Sequence, residues 1–261
     1  MNHPKTSPAR GVPVNESYRE QIARWARAMA SADEEAVRAA LAPTSPPERL
    51  ALFVEGNLEK RAGLLGKYLE FVAGAFDGHA FEHLLAHYVE VQPMTAYASP
   101  TEDADRFLAW LERQHRLTPE QKDYVACQRA RHAVEAEAAQ NRAGHLRFQE
   151  YWSVAEALLE ELGTNAGLRV HLNPIRVWSR FHTRALLDED AEPPADVLFF
   201  AVRRTISTAV LEPEGQALVR ELAEFGPVTL EEWLARGDAA DRDALLEFCH
   251  DGAAMGLVAF S

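Results

Sequence analysis

Apolar and polar positions follow two different periods along this chain. Through its first two thirds, apolar side chains recur at three- and four-residue intervals, as they do on one face of a helix. From Val197 to Leu211 the run VLFFAVRRTISTAVL instead crowds Val, Phe, Ile and Thr together, with Arg203 and Arg204 where a tight reversal would lie. That run predicts a pair of strands. Pro213, followed by Gln216, Ala217, Leu218 and Leu222, then starts a helix, and three short helices are expected over Glu214 to Glu224, Thr229 to Arg236 and Asp241 to about Met255. The apolar run Leu257 to Phe260 closes the chain. Upstream, Leu168 to Trp178 supplies one further strand, in which Pro174 suits an edge or a bulge. The order strand, strand, strand, helix, helix, helix, strand suits a small winged-helix-like domain. The expectation is an α+β chain: a loose tail over residues 1–14, a helical domain over 15–165 and a winged-helix-like domain of three strands and three helices over 166–261.

Within the helical part, Asn15 can cap a helix carrying Ile22, Trp25, Ala26 and Met29, and a short second helix ends before Pro43. After the PTSPP linker, Ser45, Pro46 and Glu48 form a capping-box start for a helix through Leu50, Phe53, Leu58, Leu64 and Leu65. Asp77-Gly78 marks a turn before a helix over His79 to Val91, with Phe81, Leu84, Leu85 and Tyr88 on its buried side. After the irregular QPMTAYASP connection, Thr101 to Glu112 reads as helix. A second capping box at Thr118 to Gln121 opens a long helical stretch to Leu162, with a break near Asn141 to Gly144.

Composition narrows the function classes. Forty acidic against 27 basic residues give a formal charge of −13, which opposes docking on nucleic acid or an anionic membrane. Only Cys127 and Cys249 are present, too few for a disulfide framework or a thiolate zinc site. No apolar run approaches the roughly 18 residues of a membrane span, and a cytoplasmic location is expected. One basic island, with Arg169, Arg176, Arg180 and Arg184 and no acidic residue between them, either attracts an acidic partner or neutralises carboxylates within the fold.

Catalytic signatures are scarce. His79, His83 and His87 share one helix face, but the outer pair is about 12 Å apart along the axis at about 1.5 Å per residue, too far for one ion. Glu112 with His115 and Glu247 with His250 have di-iron bundle spacing yet fall in different predicted domains. GxSxG, GxGxxG and P-loop patterns are absent, and GLLGK at Gly63 to Lys67 has too short a spacer. No catalytic or metal-ligating residue is assigned.

A winged-helix-like tail raises the question of DNA, but its third helix carries Asp241, Asp243, Glu247 and Asp251 against Arg242 alone. The same architecture can capture a peptide by adding it to a free edge strand. The candidate peptide-binding residues are Arg203 and Arg204 at the reversal, Ile206, Ser207, Thr208, Ala209 and Val210 along the edge, and Leu245 and Phe248 as a groove wall. Core packing is an equal use for the last two.

The segments RLALFVEGN, FVAGAFDGHAFEHLLAHYVEVQP and the FLAWL helix resemble the amino-terminal helical domain of a family often labelled DNA-binding. Its members are encoded beside multinuclear non-heme iron-dependent oxidative enzymes. LEPEGQALVRELAEFGPVTLEEWL resembles the carboxy-terminal domain of that family. Val54 to Asn57 departs from the family pattern, which is richer there in Asn and Arg. The nearest members in kind are the partner subunits of methanobactin biosynthesis and of the peptide-tethered thiaglutamate pathway. The resemblance implies a non-catalytic subunit with no cofactor of its own. It would pair with the iron enzyme as a heterodimer and recruit a ribosomal precursor peptide through its leader, the iron residing in the partner. A DNA-binding transcription regulator and a stand-alone helical metalloenzyme are the alternatives.

Overall fold

A computed structural model describes residues 47–92, 99–237 and 241–261, with Glu35 and Ala39 as isolated positions. The expected tail, the helices between Asn15 and Pro43 apart from Glu35 and Ala39, Ser45 and Pro46 of the PTSPP linker and capping box, and residues 93–98 of the QPMTAYASP connection lie outside the described residues. Numbered from the first described helix, the helical region comprises α1 (Pro47–Tyr68), α2 (Glu70–Ala73), α3 (Gly78–Val91), α4 (Pro100–Gln114), α5 (Pro119–Gln140), α6 (Arg142–Trp152) and α7 (Ala155–Leu159). The predicted capping box is formed, with Thr118 and Gln121 bonding each other's backbone at the start of α5. The long helical stretch does break at Asn141. No described helix is long and apolar enough to cross a membrane.

The chain divides into two compact units, Met1–Tyr68 with His79–Phe107 and Leu69–Gly78 with Leu108–Ser261. In the first, Phe107 receives the ring edges of Phe81 and Tyr88 at centroid distances of 5.9 and 5.2 Å. A buried charge cluster joins its helices. Arg61 holds Asp103 with two nitrogens, each at 2.7 Å, and donates its third to the carbonyls of Val89 and Gln92 at the end of α3. The Tyr88 hydroxyl donates to the same carboxylate at 2.9 Å, and its burial beside that negative charge raises its pKa. Every strong hydrogen-bonding group of the cluster has a partner, which is what makes a buried ion pair tolerable.

The second unit is built on two small antiparallel sheets. Its strands are β1 (Arg169–Leu172), β2 (Arg176–Phe181), β3 (Ala195–Val202), β4 (Thr205–Val210), β5 (Val228–Thr229) and β6 (Val258–Phe260). They form sheets ordered β5-β1-β6 and β2-β3-β4. Helices α8 (Pro213–Phe225), α9 (Leu230–Arg236) and α10 (Arg242–Met255) follow the second sheet. The expected hairpin is present with its reversal at Arg203 and Arg204, and the three expected helices follow it.

One expectation is corrected. Leu168 to Trp178 is not one strand but two, in different sheets, so six strands replace the expected small set among the described residues. The chain leaves the first sheet at Asn173, whose buried amide donates to Ala201 O at 2.8 Å and Gly256 O at 3.0 Å and accepts from Ile175 N. Helices α5 to α7 fall with the sheets in the second compact unit, where the sequence reading set a boundary after residue 165. Cys127, Ala130 and Val134 of α5 pack on Val197, Phe199 and Ala201 of β3. On the opposite face of β3, Leu198 and Phe200 join Leu218, Leu222, Trp233, Leu245 and Val258. Because alternate residues of a strand face opposite ways, β3 serves two cores at once.

Candidate functional site

The phase of the middle sheet follows from one bond. Ala201 N donates to Ile175 O at 3.1 Å, so the backbone groups of Ala201, Phe199 and Val197 serve β2, and those of Val202, Phe200 and Leu198 serve β4. On β4, Thr205, Ser207 and Ala209 therefore face β3. The N–H and C=O groups of Ile206, Thr208 and Val210 face away, along an edge with no backbone partner among the described residues. On β2 the outward groups are those of Arg176, Trp178 and Arg180.

The β4 edge has a neutral surface. Thr205 and Thr208 are exposed, Val210 is 38% exposed, and Ile206, Ser207 and Ala209 are half-buried. No Lys, Pro or acidic residue lies within the strand, so none of the usual devices that discourage strand addition is present there. Arg203 turns the chain at φ 54°, a conformation that an L residue other than Gly or Asn adopts at a cost. Its guanidinium lies 5.2 Å over the Trp152 ring, and its carbonyl meets His145 Nε2 at 3.4 Å. Arg204 is exposed and has no ion-pair partner among the described residues. The hairpin tip overhangs a cavity of about 420 Å³ lined in part by Trp152, Glu156, Leu159, Arg203 and His250.

The structure does not bring Leu245 and Phe248 to this edge as an open groove wall. Leu245 is 2% exposed within the core. Phe248 is half-buried, its ring edge-on to Trp233 at 5.9 Å. Their apolar periodicity reports the packing of α10 on the core, the competing use that a helix face always leaves open.

Sequence reasoning missed the other edge. There α5 overhangs β2, and Val177, Trp178 and Ser179 with Lys122, Ala126, Arg129 and Ala133 line a cleft of about 340 Å³. A buried side chain pins each end of β2. Asn173 holds the start. At the finish Asp123, 1% exposed, accepts from His182 N, Thr183 N and the Thr183 hydroxyl at 2.6 to 3.0 Å. Asp123 stands in the second turn of α5, near the helix end where a carboxylate is ordinary, so the sequence carried no signal for this pin.

His79, His83 and His87 are all exposed on α3, and no three potential metal ligands gather anywhere among the described residues. Glu112 pairs with Arg129 at 2.8 Å, and His250 lies 3.5 Å from Asp251. Burial pushes the Cys127 thiol up to about 11 and the Cys249 thiol up to about 12, which leaves both protonated and unreactive at neutral pH. The arginine island is matched locally: Arg169 with Glu232, Arg180 with Asp196 and Arg184 with Glu192. Arg176 donates to Asn173 O; burial lowers its pKa, while Glu137 acts in the opposite sense.

In comparisons with known proteins, no family model, no curated protein and no solved structure matches this chain.

Proposed function

We propose that this chain is a non-catalytic recognition subunit. It would bind the leader of a ribosomally made precursor peptide as an added strand on β4 and present it to an iron-dependent peptide-modifying oxidase in a cytoplasmic heterodimer. The observation that supports this reading is the unprotected edge of β4, where Ile206, Thr208 and Val210 offer backbone donors and acceptors. Arg203 and Arg204 stand at one end of that edge. The C-terminal order α8, β5, α9, α10, β6, with β1 completing the sheet, is compatible with a winged-helix-like domain.

In such a domain α10 would be the helix to enter a DNA groove. Its exposed face carries Asp243, Glu247 and Asp251, and Arg242 is already engaged by Glu231 and by the carbonyl of Gly163. Phosphate would meet repulsion there. In the proposed role the contribution to rate is positional, since tethering the leader raises the effective concentration of the core peptide at the partner's metal.

The test begins with affinity capture of the full chain from its native host, with mass spectrometry of retained proteins and peptides. The captured peptide is then titrated against Thr208→Pro, in which the outward N–H is lost but no ladder bond is broken. We expect a folded variant that binds at least about tenfold more weakly, the scale of about 1.4 kcal/mol; charge reversal at Arg203 or Arg204 should also weaken binding. Unchanged affinity in the folded variant would remove β4 from the reading, and capture of duplex DNA with salt-sensitive affinity would replace it by the regulator.

A further inference from the structure

We infer that the cleft between β2 and α5 is a second docking surface, built for an extended acidic segment of a partner polypeptide that adds to β2 on the edge opposite β4. Three features of the cleft converge on this occupant. The first is the row of outward backbone groups at Arg176, Trp178 and Arg180, which an extended chain satisfies and a compact ligand does not. The second is the wall. Ala126, Ala130 and Ala133 of α5 stand beside Val177 and Ser179, so side chains of an added strand that point toward α5 meet small residues and have room. Trp178, 37% exposed, gives the edge an aromatic surface.

The third feature is charge. Lys122 is exposed at the cleft and has no ion-pair partner among the described residues, whereas the carboxylate in the lining, Glu112, is held by Arg129 at 2.8 Å. The edge itself carries Arg176 and Arg180, on the strand face that also carries Trp178. Arg180 is only loosely met by Asp196 at 3.9 Å, and these arginines disfavour the simplest competitor, a second copy of this chain paired about Trp178. Antiparallel pairing of two β2 edges centred on Trp178 would set Arg176 opposite the other copy's Arg180, and like charges directly opposite are destabilising. A strand with acidic residues at those two positions reverses the sign, and small residues between them would face the alanines. The favoured pattern is acidic, small, β-branched, small, acidic.

The surface is independent of β4, and the experiment keeps the two apart. The probe is a fluorescein-labelled nonapeptide centred on Glu-Ala-Val-Ala-Glu, with a Lys-Ala-Val-Ala-Lys counterpart, titrated against the full chain by anisotropy. We expect the acidic probe alone to bind. Lys122→Glu and Ala133→Glu, both at exposed positions, should each weaken it roughly tenfold, and Thr208→Pro should leave it unchanged. Hydrogen exchange with the probe bound should slow over β2 and not over β4. Equal binding of both probes, indifference to Lys122→Glu and Ala133→Glu, or slowed exchange confined to β4 would overturn the assignment. So would concentration-dependent dimerisation that Lys122→Glu leaves intact and that protects β2.

Discussion

The two edges of the middle sheet are made in opposite ways. β2 begins at buried Asn173 and ends where Asp123 gathers two backbone amides and a hydroxyl, so both of its ends are fixed by side chains from outside the strand. β4 begins in a two-residue turn with Arg203 at positive φ. At its far end Gln216 bonds the carbonyl of Leu211, and β3 alone pairs with it. A pinned strand beside a helix is a preformed groove, whereas in the proposed role a hairpin arm paired on one side only would be ordered by the chain it receives. That contrast teaches where order is already present before binding and where binding must supply it.

The sharpest way to break the contrast is to unpin β2. Asp123→Ala strands three donors beneath the end of the strand, two of them backbone amides, and should cost about 3 kcal/mol or more, because hydrogen bonds to a charged acceptor are the strong ones. A shift in the urea midpoint reads this. A cost below about 0.5 kcal/mol would mean that the pin is idle and the edges are equivalent. Asn173→Ala should follow at about 2 kcal/mol, since the carbonyls of Ala201 and Gly256 and the amide of Ile175 lose their partner in a dry site. Its unfolding slope should stay that of the parent if the two sheets still melt together.

The smallest effect belongs to the β4 side. Arg203→Gly relieves the positive φ but gives up the contact with Trp152, whereas Arg203→Ala gives up the contact and keeps the strain. Thermal melts should therefore place the Gly variant above the Ala variant by the equivalent of about 1 kcal/mol. Equal melting temperatures would show that the turn carries no conformational cost.

Local chemistry made the hairpin legible. β-branched and aromatic residues on either side of Arg203 and Arg204 leave little else for that run to do, and the Thr118 capping box is likewise a rule of neighbouring residues. What sequence could not show is which surface an apolar face meets. Cys127, Ala130 and Val134 predict a helix with a buried side, but that side covers a sheet, which moves α5 out of the expected helical domain. Leu245 and Phe248 have the periodicity of either a core or a groove; the fold buries Leu245 and leaves Phe248 half-buried beside Trp233. Pro174 signalled an edge or a bulge, yet no local rule says that the chain resumes in a different sheet. The β2 cleft was hidden for a related reason, since Lys122 and Trp178 are distant in sequence and only the packing of α5 on β2 brings them to one place.

A partition wall shared by two rooms cannot be taken down from one side only. β3 is such a wall: Phe199 is buried in one core and Phe200 in the other. If the helices on either face let go, the strand would present a row of large apolar side chains to water, and the face still covered would lose its flat support. The second unit should therefore melt in one step, although its secondary structure is divided between two small sheets that would each be marginal alone. Both open edges thus hang on a single strand whose stability neither of them has to supply.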